Sequence, residues 1–123
     1  MNFDSKEAGL DYLLDLDGFT AEIGGRYWVT IRAKLIPRNA ERPHGIQYAL
    51  SLHAPKGARI LGYDNAHLAP SGSGPGKKSV RPLAFDHVHK GNKARPYKFT
   101  SPEQLLLDFW ADVERALIEE GVS

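Results

Sequence analysis

Two segments in which apolar and polar residues alternate constrain this chain most strongly. The apolar positions are Tyr27, Val29, Ile31, Ala33 and Leu35 in the first segment, and Ile46, Tyr48, Leu50 and Leu52 in the second. Successive side chains of a strand point to opposite faces, so each segment predicts a strand with one buried face. The other face of the first strand carries Trp28, Thr30, Arg32 and Lys34, and its Arg32 and Lys34 part is expected to be exposed and basic. The connections are too short for parallel crossovers, which favours an antiparallel meander.

Further strands and one long helix complete the predicted fold. Strands are expected at residues 19–23, 58–63, 83–89 and 94–100, a Gly24-Gly25 hairpin turn after the first of them, and a short helix within residues 4–14. Ser101 is predicted to cap a helix that starts at Pro102, with Gln104 completing a capping box, and that ends near Glu120. Its apolar stripe is Leu106, Phe109, Trp110, Val113 and Leu117. Its other sides carry the acidic residues Glu103, Asp108, Asp112, Glu114, Glu119 and Glu120. The sequence therefore predicts an α+β domain, an antiparallel sheet of about five strands with the C-terminal amphipathic helix packed on one face.

Length and composition predict one domain, residues 1–123. The chain has 123 residues, of which 41% are hydrophobic, enough for a single core. It has no cysteine, no apolar run of the roughly 20 residues that span a bilayer, and no signal-peptide pattern. We therefore expect a cytoplasmic protein without membrane contact. Residues 66–85 are rich in Gly, Ser, Pro and Lys and predict a flexible basic insertion.

Charge is segregated along the chain although the net charge is only +1. Residues 26–100 carry fourteen Lys and Arg against three acidic residues, whereas residues 1–25 and 101–123 each carry six acidic residues against one basic residue. A basic middle between acidic ends suits a surface that binds a polyanion, backed by an acidic helix. Chance clustering on a solubilising surface is the alternative.

The stretch from Tyr63 to His89 holds the candidate site. His87 and His89 lie two positions apart on a predicted strand and therefore share a face. Two imidazoles can act as base and acid in metal-free RNA cleavage. Asp64 is the expected partner of one histidine, because alternation places Asp86 on the opposite face. The candidate cations for the phosphate are Lys90, Lys93, Arg95 and Arg59.

Other interpretations of the same stretch stay open. Tyr63 and Tyr97 are candidate platforms for RNA bases, or ordinary strand aromatics. His87, His89, Asp64 and His67 offer ligands suited to zinc or manganese, although no metal and no cofactor is the primary expectation. His87 and His89 can also be solvated strand residues. We expect His44, in a loop, and His53, on an exposed strand face, to be solvated, although His53 can reach the site if its strand neighbours the strand at 58–63.

Four segments of the chain resemble the TumE family. They are Gly62-Tyr63-Asp64-Asn65, Asp86-His87-Val88-His89-Lys90-Gly91, Pro96-Tyr97-Lys98-Phe99-Thr100-Ser101, and the helix from Gln104 to Glu114. The resemblance covers about the C-terminal half of the chain and follows the order of the family's motifs. Two features depart from the family pattern: Gly62 stands where a cation is expected, and Ala66 to Phe85 is a longer insertion.

The resemblance implies a toxin of a toxin–antitoxin system that acts on RNA, with a cognate antitoxin as its protein partner. The site residues carried over are Tyr63, Asp64, Asn65, His87, His89 and Tyr97. Together with the residue chemistry, the expectation is a ribonuclease whose RNA target can lie on the ribosome. The alternatives are a non-catalytic RNA- or protein-binding module and a metal-dependent nuclease. Exposed sheet edges are compatible with a homodimer.

Overall fold

The structure is a computed structural model that describes residues 9–40, 42–65 and 86–122. In chain order the elements are α1 (Leu10–Asp15), β1 (Phe19–Gly24), β2 (Tyr27–Leu35), β3 (Ile46–His53), β4 (Arg59–Asp64), β5 (His87–Lys90), β6 (Lys93–Pro96) and α2 (Pro102–Glu119). The strands form one antiparallel sheet in the order β1-β2-β3-β4-β5-β6. The predicted α+β meander is confirmed, with six strands where about five were expected.

The core lies between one face of the sheet and the two helices. Its strand residues occupy alternate positions: Val29, Ile31, Ala33, Ile46, Tyr48, Leu50, Leu52, Leu61, Tyr63 and Val88. The helices contribute Leu13, Leu105, Leu106, Phe109 and Val113. The alternation in β2 and β3 thus predicted the buried face correctly, except that Leu35 at the end of β2 is 59% exposed.

The β1–β2 turn lies one residue later than predicted. Gly24 pairs with Tyr27, so Gly25 and Arg26 are the two central residues of the turn. Their φ angles are 56° and 70°. Positive φ at both central positions defines a type I′ turn, whose twist matches that of the strands. Arg26 therefore occupies a conformation that the sequence pattern had assigned to a second glycine.

Helix α2 begins as the sequence predicted. Ser101 Oγ accepts a hydrogen bond from the backbone N–H of Gln104 at 3.0 Å, and Pro102 is the first helical residue. The Gln104 side chain does not close a capping box, because it donates to Asp108 at 2.8 Å. Asp112 was expected on the polar side of the helix, yet it is only 8% exposed. Its buried carboxylate bonds to groups of the sheet described below.

Some sequence-based expectations fall outside the described residues. They are the start of the predicted N-terminal helix at residues 4–8, the basic insertion at residues 66–85, and His67. Residues 83–85 of the strand predicted at 83–89 belong to the same stretch. Asp86 is described and lies outside the strand, so β5 begins at His87.

Candidate functional site

The face of the sheet that points away from both helices carries a group of polar and titratable side chains. We call it the open face. Strand register places Trp28 beside His53, Ser51 beside Gly62, Gly62 beside His89, and Asp64 beside His87. These residues alternate with buried core positions, so their side chains share this face. The open face therefore holds both histidines of the predicted site.

Asp64 and the two histidines form the centre of this group. The His89 Nε2 atom lies 3.4 Å from Asp64 Oδ2, and the centroids of the His87 and His89 rings are 6.1 Å apart. Asp64 and His87 are direct partners in the β4–β5 ladder. All three side chains are half-buried. Because each one sits on a paired strand, the backbone ladder fixes their separation.

Arg59 comes close to Asp64 because of a bulge in the β3–β4 ladder and because residue 62 is a glycine. The β3–β4 ladder shifts register between Leu52 and His53, so two β4 residues oppose His53 and Arg59 is redirected to the open face. Its side chain lies across Gly62, where an added Cβ would stand 3.1–3.3 Å from it. Its Nη1 atom reaches to 3.6 Å from Asp64 Oδ2. A side chain at position 62 would crowd this path, which gives a physical reason for glycine there.

The pKa of His89 lies below its ordinary value of 6.5. Burial is the main cause, since it penalises the charged ring, and the positive charges of Arg59 and His87 act in the same direction. The carboxylate of Asp64 opposes them but does not reverse the shift. His89 is therefore predominantly neutral at pH 7. If its Nε2–H points to Asp64, the lone pair of Nδ1 is available to accept a proton.

The chemistry that this arrangement permits is proton transfer beside a cation. A neutral imidazole held by a carboxylate is a general base, and a second imidazole at this spacing can serve as an acid. Arg59 supplies a positive charge for an anionic substrate. Within residues 9–40, 42–65 and 86–122, no group of three or more His, Asp or Glu side chains is arranged to hold a metal ion.

The predicted cations other than Arg59 lie on the helix side of the β5–β6 hairpin. Lys90 Nζ is 3.7 Å from Asp112 Oδ2, and Arg95 lines a cavity with Tyr63 and Arg115. Lys93 pairs with Lys90 at the end of the same hairpin and is exposed. Alternation separates Lys90 from its neighbour His89 by the thickness of the sheet. Lys90, predicted beside the histidines, thus lies on the other face, and Arg59 is the predicted cation that the structure brings to Asp64.

Tyr63 and Tyr97 hold helix α2 against the sheet. The Tyr63 hydroxyl donates to Asp112 Oδ2 at 2.6 Å, and the Tyr97 hydroxyl donates to Asp108 Oδ2 at 2.6 Å. The two rings meet edge to face, with centroids 5.0 Å apart. Burial and these carboxylates raise the pKa of both phenols, which therefore stay neutral donors. Tyr63 is 3% exposed, so its ring has no free face for a base.

Asn65 and Asp86 form a second, interior polar group. Asn65 is fully buried; its Oδ1 accepts from the Tyr48 N–H at 3.0 Å and its Nδ2 donates to the Ile46 carbonyl at 2.9 Å. Asp86 Oδ2 accepts from the Tyr48 hydroxyl at 2.6 Å and contacts His44 Nε2 at 3.1 Å. Both residues thus hydrogen-bond to β3 from the interior, and no part of Asn65 is exposed at the surface.

His44 was expected to be solvated and is instead largely buried. Its side chain is 14% exposed, its ring packs on Phe99 with centroids 4.1 Å apart, and its Nδ1 accepts from the Ile46 N–H. Since Nδ1 is an acceptor, Nε2 carries the proton that faces Asp86. The expectation failed because these contacts join positions that are distant in sequence.

Sequence reasoning left Trp28 out of the site, whereas His53 was expected to reach it if its strand neighboured the strand at 58–63, as β3 does. Trp28 stacks on His53, with ring centroids 4.1 Å apart and an angle of 10° between the planes. The sequence did indicate which face Trp28 occupies, because alternation in β2 placed Trp28 and Arg32 on one polar face. What the sequence did not show is that β3 and β4 bring this face next to His89.

The fold and site together define a class: a small α+β domain with a histidine–aspartate–arginine group on a sheet face not covered by its helices. A family model described as Toxin TumE matches residues 19–117, from β1 into α2. The chain belongs to the TumE toxin family. It is thus a toxin of a toxin–antitoxin system, and an antitoxin is its implied partner.

The other comparisons add no relatives. No curated protein and no solved structure matches the chain. Among the helices of the described residues, none has the length and apolar character needed to cross a membrane.

Proposed function

We propose that this toxin is a ribonuclease that cleaves RNA by histidine acid–base catalysis on the open face. The observation that carries the proposal is the pairing of two imidazoles 6.1 Å apart with a carboxylate 3.4 Å from one of them. A phosphodiester with a neighbouring 2′-hydroxyl needs one group to remove a proton and another to supply one. Imidazole is the side-chain group that can act as either a base or an acid near neutral pH, so a pair of imidazoles can supply both roles.

We assign the base to His89 and the acid to His87. The pKa of His89 is lowered, so the ring stays unprotonated and able to accept the 2′-hydroxyl proton. His87 would then protonate the departing 5′-oxygen. Arg59 would stabilise the negative charge that builds up on the phosphate, and Asp64 would orient both Arg59 and His89. The products would be a 2′,3′-cyclic phosphate and a free 5′-hydroxyl.

The assignment fixes a pH dependence. Since His89 must be neutral to act as the base, the acidic limb of the cleavage profile should lie below pH 6.5.

Exposed cations of the β5–β6 hairpin, Lys93 and Arg95, would contact RNA away from the reacting phosphate and add salt-dependent affinity.

The test is cleavage of end-labelled single-stranded RNA by the purified chain, with and without EDTA. His87→Ala and His89→Ala are assayed singly and together, and circular dichroism checks that each variant is folded. Each single change should reduce the rate about 100-fold or more, and the double change should add little because the two residues act in one step. A DNA strand of the same sequence is the matched substrate control, because it lacks the 2′-hydroxyl and should stay intact.

The outcomes separate the competing functions. Cleavage that persists in EDTA and is lost in the histidine variants supports the proposal, as does a cyclic phosphate end. Loss of cleavage in EDTA would replace it with metal-dependent hydrolysis. Binding of RNA by the folded protein without turnover would favour a non-catalytic RNA-binding module.

A further inference from the structure

We propose that Trp28, stacked on His53, is a base-binding subsite for single-stranded RNA next to the reacting group. The inference rests on the proposed function for the identity of the ligand. The geometry of the subsite is independent of the catalytic residues, because it involves a different pair of side chains on strands β2 and β3.

The Trp28–His53 pair is held rigidly. The rings are nearly parallel at 4.1 Å. His53 Nδ1 lies 3.3 Å from the Gly57 carbonyl, which only accepts, so Nδ1 donates; Nε2 then accepts from the Ser51 hydroxyl at 2.9 Å. Both ring nitrogens of His53 are therefore engaged. A base that stacks here meets a prepared surface and does not have to order it.

The pair lies within reach of the catalytic group. Register places Ser51 beside Gly62 and Gly62 beside His89, so His53 is two strands and two residues away from His89. With a strand spacing of about 4.8 Å and a rise of about 3.3 Å, the Cα separation is roughly 12 Å. Arg59, the partner of His53 in the ladder, lies between the aromatic pair and Asp64. An aromatic surface next to a cation is the combination that proteins use for single strands.

If the Trp28–His53 pair has a purely structural role, it contributes stability to the sheet and no affinity for a ligand. A cross-strand aromatic pair stabilises the β2–β3 hairpin whether or not a ligand binds. Two observations favour binding as well. Tyr63 and Tyr97, the aromatics first considered as platforms, are engaged with helix α2. Among the described residues, Trp28 is the one Trp, Tyr or Phe that strand register assigns to the open face, and its side chain is only partly buried.

The test compares two non-cleavable ligands of equal length and charge. One is a short 2′-O-methyl oligouridine; the other has the same backbone without bases. Affinities are measured by anisotropy of the labelled strands for the full chain, Trp28→Ala, and the matched control Tyr27→Ala, which removes an aromatic from the other face of β2. Trp28→Ala should weaken oligouridine binding about tenfold and leave the abasic ligand unchanged. Tyr27→Ala should change neither affinity.

A second readout does not depend on a substitution at the subsite. The chain contains two tryptophans, so Trp110→Phe leaves Trp28 as the sole indole fluorophore. Oligouridine should quench its emission, and the abasic strand should not. The inference is overturned if Trp28→Ala weakens both ligands equally, or if oligouridine binds without quenching Trp28. Base-dependent binding in a chain that does not cleave RNA would uphold the subsite and reject the reaction, and cleavage without base-dependent binding would do the reverse.

Discussion

Replacing Asn65 with alanine tests whether this residue stabilises the fold or contacts RNA. Its side-chain amide hydrogen-bonds to two buried backbone groups, the N–H of Tyr48 and the carbonyl of Ile46. Alanine leaves both without a partner, and each buried unsatisfied group costs about 1–3 kcal/mol. Taking the lower half of that range for each, since water can enter a vacated space, the free energy of unfolding should fall by about 3 kcal/mol. For a domain of this size the melting temperature should drop by roughly 12 °C.

The assay is urea and thermal unfolding followed by circular dichroism, with Asn92→Ala as the matched control. Asn92 is exposed in the β5–β6 turn, so the same chemical change there should shift stability by less than about 0.5 kcal/mol. A loss below about 1 kcal/mol for Asn65→Ala would refute the stabilising role. So would a variant with unchanged stability and reduced RNA affinity, which would return Asn65 to the binding surface.

Four further predictions follow from the site and the helix contacts. Arg59→Ala should raise the pKa of His89, because the positive charge of Arg59 disfavours the imidazolium. Asp64→Asn should lower the pKa of His89 further, because the carboxylate favours the imidazolium. NMR titration of the imidazole resonances measures both shifts, and a shift in the opposite direction would refute the electrostatic account. As pH falls below 6.5, the unfolded chain protonates His89 before the folded chain does, so unfolding free energy should decrease, and His89→Gln should flatten this dependence. Tyr63→Phe should cost about 2 kcal/mol in urea unfolding, because it strips a hydrogen bond from a buried helix carboxylate. Tyr97→Phe should cost less, about 1 kcal/mol, because its carboxylate partner Asp108 is more exposed than the buried Asp112; equal losses would contradict this ranking.

Much of the fold was predictable because its signals are local. Alternation in β2 and β3 identified the buried face, short connections required antiparallel pairing, and the Ser101-Pro102 start set the beginning of α2. Burial of Asp112 was not predictable in this way. Its position in the helix looked polar, and the buried carboxylate is acceptable there because Tyr63, Lys90 and Arg115 all partner it. Two of these partners come from the sheet, which the helix pattern does not show.

The candidate site was predictable in part, and the failures share a physical cause. Residues adjacent in a strand point to opposite faces, so Tyr63 and Asp64 cannot serve one surface, nor can His89 and Lys90. Nearness in sequence suggested a single cluster, and the structure divides it into an open-face group and a helix-side group. Arg59 reaches the open-face group through a bulge, a feature with no distinct sequence pattern here.

The polar group around Tyr48 also bears on how this chain can vary in length. Asn65 and Asp86, the residues that flank positions 66–85, are both bonded to Tyr48, one to its backbone and the other to its hydroxyl. The two ends of the intervening stretch are thus fixed to one point of the core, independently of what lies between them. The entropic cost of joining two fixed points of a chain grows slowly with the number of residues between them, by about 0.6 kcal/mol for each doubling. Deletions and insertions between these two anchors should therefore be far better tolerated than a change at either anchor, which makes this junction a natural place to graft a tag or reporter.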